Sequence, residues 1–70
     1  MLIRLSDHAL VDDLCDHYRR SGFAAEPVSH GVVKATRSDA PTHEQGRREV
    51  MLHLHVWKVL NPDVAAQPVS

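Results

Sequence analysis

The sequence predicts an α+β sandwich, a four-stranded antiparallel sheet with two helices on one of its faces. Three observations carry this expectation. Segments with the two-residue period of a strand and the 3.6-residue period of a helix follow one another in the order βαββαβ. Glycines and capping residues fall at the joints between them. The prolines that lie inside strands fall only in the second and fourth. The chain has 70 residues, 43% hydrophobic and 24% charged, which is the balance of a folded domain and too apolar for a disordered one. That length accommodates one domain spanning residues 1–70, with a small core.

The elements follow in order. Leu2–Leu5 reads as a strand, with Ile3 and Leu5 on one face and Arg4 on the other. Ser6 is placed to cap a first helix, with Asp7 in its opening turn, where the helix dipole favours an anion. Leu10, Val11, Leu14, Cys15 and Tyr18 make one apolar stripe, while Asp12, Asp13 and Asp16 face water. Arg19 and Arg20 occupy the last turn, and Gly22 can supply a left-handed C-cap. Residues 23–28 and 32–37 read as two strands joined through Ser29, His30 and Gly31, the glycine providing a positive φ. The run Ser38, Asp39, Ala40, Pro41 is a loop of turn formers. Thr42 and Gln45 have capping-box spacing and open a long helix that ends near Leu60, ahead of Asn61 and Pro62. Residues 64–69 are extended and apolar enough for a last strand.

One segment is ambiguous. Residues 50–57, VMLHLHVW, also alternate, and as a strand they would place His53, His55 and Trp57 on one face. The capping box and the unbroken length favour helix. With that choice the chain has the split βαβ order of the ferredoxin-like fold. Proline has no amide to donate to a sheet ladder, so it belongs on edge strands. In this topology the second and fourth strands are the edges, and they hold Pro27 and Pro68.

Charge and motif content exclude several functions. Eight Lys plus Arg against nine Asp plus Glu give a net charge of −1, without the basic footprint of a nucleic-acid binder. No apolar run is long enough to span a membrane, residues 1–7 are not expected to act as a signal peptide, and a lone cysteine builds neither an internal disulfide nor a thiolate zinc site. A cytoplasmic location follows as the expectation. Cys15 lies in the apolar stripe of the first helix, Ser6 and Ser21 are explained by capping and chain reversal, and the aspartates form a solvated face. No catalytic residue, cofactor site or metal site is therefore expected, and the chain reads as a non-enzyme. Six histidines are the compositional oddity, since protonating all of them moves the net charge from −1 to +5. Nothing in their spacing draws them together. On a helix His53 and His55 diverge by about 200° and cannot share an ion.

The second helix carries the functional expectation. Val50, Leu54, Trp57 and Leu60 form the stripe expected to face the sheet. Leu52, Val56 and Val59 form a second stripe, and Met51 adds apolar surface elsewhere. Such an arc is wider than one sheet contact needs, which makes Met51, Leu52, Val56 and Val59 a candidate interface. The open sheet face, with Leu2, Arg4, Glu26, Val28, Val32 and Lys34, is a second place where a partner can meet the domain. The expected function is association, as a homodimer or as an accessory subunit bound to a protein partner.

Known families of this architecture narrow the choice. RNA-recognition domains stack bases on aromatics of the first and third strands, which read Leu2-Ile3-Arg4-Leu5 and Val32-Val33-Lys34-Ala35-Thr36 here. Heavy-metal-associated domains have two cysteines, and acylphosphatases a glycine-rich loop, where this chain has Ser6-Asp7-His8. In length and element order the chain resembles small amino-acid-sensing ACT domains, although the first strand-to-helix loop lacks the glycine common in them. That resemblance implies the alternative function, a small-ligand or metal-sensing regulatory domain. Architecture alone assigns no family.

Overall fold

The computed structural model describes residues 1–37 and 39–69; Ser38, read above as part of the loop of turn formers, lies outside the described residues. The elements are β1 (Leu2–Leu5), a 3-10 turn (His8–Leu10), α1 (Val11–Arg20), β2 (Ala24–Ser29), β3 (Val32–Thr36), α2 (His43–Leu60) and β4 (Ala66–Pro68). The four strands form one sheet in the order β2-β3-β1-β4, and every neighbouring pair is antiparallel. The ambiguous segment 50–57 is helical.

Alternation decides the inward face. Ile3 and Leu5 of β1, Ala25 of β2, and Val33 and Ala35 of β3 are buried in one cluster with Leu14, Cys15 and Tyr18 of α1 and Val50, Leu54 and Trp57 of α2. Arg4, Glu26 and Lys34, one residue out of phase, are exposed. Val32 shares their face opposite Arg4 and is nonetheless buried, a departure from the open position expected for it. The two edge strands are β2 and β4, and each contains a proline, Pro27 and Pro68. Next to Pro27 the β2–β3 register slips by one residue, so this edge carries both an amide-free position and a bulge.

Both turns at which a glycine was expected to reverse the chain use it. Helix α1 ends in a Schellman arrangement. The Gly22 amide donates to the Arg19 carbonyl (3.2 Å) and the Phe23 amide to the Tyr18 carbonyl (2.9 Å), with Gly22 at φ +89°. The rings of Tyr18 and Phe23 then meet edge-on at 5.2 Å, the apolar contact that accompanies this cap. Phe23 is thus a buried capping residue ahead of β2 and not the first residue of the strand. Gly31 has φ +73° in the hairpin, and the His8 imidazole lies against it so closely that an added Cβ would sit 2.5 Å from Nε2.

Helix starts divide the expectations. Thr42 caps α2 as its spacing indicates, its Oγ1 accepting from the Gln45 amide at 3.0 Å. Ser6 does not cap α1. Its hydroxyl accepts from the Ala65 amide (2.9 Å), tying the end of β1 to the approach of β4, while Asp7 caps the 3-10 turn through the Ala9 amide (3.0 Å). Two oxygen-bearing residues stood side by side, and the one facing β4 was drawn into the sheet. At the far end of α2, the Asn61 side chain donates to the Trp57 carbonyl (3.0 Å) and Pro62 prevents continuation.

Gly46 within α2 and Gly31 in the hairpin differ in consequence. At Gly46 an added Cβ would meet Ala40 at 3.5 Å, ordinary van der Waals contact, so the helix can accept it. Gly46→Ala is expected to raise unfolding stability by about 0.5–1 kcal/mol, because the unfolded chain loses freedom. Gly31→Ala is expected to lower it by about 1–2 kcal/mol, from left-handed backbone strain, with His8 displaced in addition. Urea denaturation of the two variants checks the opposite signs.

Candidate interaction surface

The surface is best built from what α2 buries. Val50, Leu54 and Trp57 point into the core, and Tyr18 and Trp57 are the two largest fully buried side chains. Each has a polar atom that needs a partner when buried. The Tyr18 hydroxyl donates to the Val50 carbonyl at 2.7 Å, and Trp57 Nε1 donates to Asp13 Oδ2 at 2.9 Å. Burial holds the Tyr18 hydroxyl protonated, above the usual phenol range. Asp13 is exposed, as expected for the solvated face, and is in addition the acceptor that satisfies the indole. These bonds fix how far α2 is rotated about its own axis.

With that rotation set, the outward side of α2 follows from helical geometry. Leu52 (62% exposed), Val56 (45%) and Leu60 (70%) succeed one another at four-residue steps and make one ridge, with Val59 (67%) beside it. Leu60 was expected to face the sheet. It stands in the last helical position, about 60° round from Trp57, and the helix end carries it out to solvent. Met51 belongs to a different surface. It lies on the β4 side of the helix and lines a groove of about 170 Å³ with His55, Lys58 and Pro68. The structure therefore brings Leu52, Val56 and Val59 together, adds Leu60, and sets Met51 apart.

The other surfaces are less apolar. On the open sheet face Glu26 stands opposite Lys34 and Leu2 opposite the same lysine, so its aliphatic residues are interleaved with charges. Both sheet edges carry prolines. At the end of β3, Arg37 Nε lies 3.1 Å from Asp39 and 3.5 Å from Glu49, and its guanidinium covers the Phe23 ring at 5.0 Å. Five of the seven large hydrophobic residues exposed among the described residues lie on α2. No helix among the described residues is long and apolar enough to cross a membrane.

Four of the six histidines meet in pairs that spacing did not reveal. His8 and His30 are in edge contact with ring centroids 4.0 Å apart, and His17 of α1 faces His53 of α2 at 5.8 Å. Both pairs join elements distant in sequence, so only the fold shows them. No group of three or more metal-ligating side chains occurs among the described residues. His55 is exposed and points away from His53, as the helix requires. Comparisons with protein-family models, curated proteins and solved structures each found no match.

Cys15 is buried in the core, and that burial pushes its thiol above the ordinary range, with Asp12, Asp16 and Glu26 adding to the shift against an opposing Arg19. The thiolate is the reactive form. A disulfide reagent is expected to modify Cys15 slowly in the native protein and rapidly in urea, as followed by mass spectrometry.

Proposed function

We propose that this protein works by association, as a homodimer joined through the outward ridge of α2, and that it is not an enzyme. The observation that carries the reading is the Leu52, Val56, Leu60 ridge, exposed on the one long helix while both sheet edges hold proline. A row of side chains at four-residue steps packs into the matching groove of a second copy when the two helices cross at about 50°. A two-fold axis passing near Val56 makes the contact self-complementary, with Leu52 of one copy beside Leu60 of the other. Helix α2 has 18 residues and is about 27 Å long, so its face is small beside the roughly 800 Å² per partner of a standard interface. The dimer is accordingly weak and dependent on concentration.

We infer in addition that the architecture is the ferredoxin-like one. Its support is the order β2-β3-β1-β4 combined with the alternation of strands and helices along the chain. A cytoplasmic setting suits the single buried thiol.

Sedimentation equilibrium over a concentration series tests the proposal, with native mass spectrometry of the purified protein as a check for bound adducts. The wild-type chain is expected to dimerise as concentration rises. Val56→Asp is expected to weaken dimerisation at least tenfold and to leave the melting temperature within a few degrees, because the side chain lies outside the core. A chain that stays monomeric throughout, or a Val56→Asp variant that dimerises like wild type, overturns the reading.

A further inference from the structure

The seam between α1 and α2 consists of successive rungs that run antiparallel: Asp13 to Trp57, His17 to His53, and Tyr18 to Val50. The middle rung differs in kind from its neighbours. The outer two are hydrogen bonds, whereas the histidines meet ring to ring, and His17 Nε2 is buried without a hydrogen-bond partner among the described residues. His53 also packs edge-on against Phe23 at 4.9 Å and lies 6.5 Å from Tyr18, so the pair sits among aromatic rings.

We propose that the His17–His53 pair is an acid-sensitive latch, closed when both imidazoles are neutral and forced apart when both are protonated. The charges around it favour that behaviour. From α1, Asp13 already accepts from Trp57, and Arg20 lies near His17 with a like charge. From α2, Glu49 stands one turn before His53 but is engaged by Arg37, whose guanidinium also lies over the Phe23 ring at 5.0 Å. Each of these carboxylates is already engaged by another side chain, Asp13 by the Trp57 indole and Glu49 by Arg37. Burial pushes the His17 imidazolium below the ordinary histidine range, His53 and Arg20 add to this, and the His53 backbone and Asp13 oppose it.

The sign follows from linkage. Histidine 17 of the folded chain stays neutral where that of the unfolded chain has taken up its proton, so the unfolded state binds more protons as pH falls. The stability this group contributes is present above the ordinary histidine range near 6.5 and is lost as pH drops through the lower folded value. Opening the seam releases α1 from α2 and uncovers the Tyr18 and Trp57 rungs on either side.

Thermal unfolding between about pH 7.5 and pH 5 tests the latch in wild type, in His17→Gln/His53→Gln and in His8→Gln/His30→Gln. Wild type is expected to lose about 5 °C or more in melting temperature over that range, the first double variant to lose little, and the second to follow wild type. An unchanged pH dependence in the first variant overturns the proposal. If that variant does not fold, NMR titration of the wild-type imidazoles decides. His17 titrating below the ordinary histidine range, together with loss of its contact to His53, upholds the latch, and titration at or above that range overturns it.

Discussion

The packing of Tyr18 and Trp57 between the two helices is the constraint from which the remaining geometry follows. Their hydrogen bonds join residues 32 and 44 positions apart, and so connect the first half of a short chain to the second. A 70-residue chain has little surface to bury, and aromatic side chains remove about 150–250 Å² each from water. Two of them placed at either end of the helix seam, each with its polar atom satisfied, seat α2 in a single rotation. Everything on the outward side of α2 is then determined by the 100° step of the helix. The ridge of Leu52, Val56 and Leu60 is in this sense a consequence of the core, since Trp57 cannot turn inward without turning Val56 outward.

The same seating explains the contrast between the faces of the molecule. The sheet edges are interrupted by Pro27, Pro68 and a bulge, devices that discourage strands from pairing with other chains. The open sheet face sets Glu26 against Lys34. Along the outward row of α2 no charge or proline intervenes from Leu52 through Val56 to Leu60, which follow at four-residue steps. Association through helices, with the edges closed, suits such a distribution of side chains.

Local features were legible in the sequence, and features made by distant residues were not. Gly22 and Gly31 carry positive φ where the turns were placed, Thr42 caps α2 at the spacing that marked it, and both strand prolines lie on edges. Each of these depends on a few neighbouring residues or on a strong backbone preference. Ser6 and Asp7 are both good capping residues, and only the arrival of Ala65 beside Ser6 decides which caps and which binds β4. Asp13 looks like its solvated neighbours until Trp57 is brought to it. The pairing of His17 with His53 has no local signature, because it exists only once α1 and α2 are antiparallel. Leu60 fits the inward stripe by period, and only the position of the helix end relative to the sheet shows that it is exposed.

The most direct test of the account is a dilution series followed by methyl NMR of the aliphatic side chains. It reports each candidate surface separately in the unmodified protein. If α2 is the contact face, the methyl signals of Leu52, Val56, Val59 and Leu60 shift together as concentration rises, while those of Val28 on the β2 edge and Leu2 on the open sheet face stay fixed. Shifts confined to Val28 or Leu2, or no concentration dependence at any methyl, contradict it.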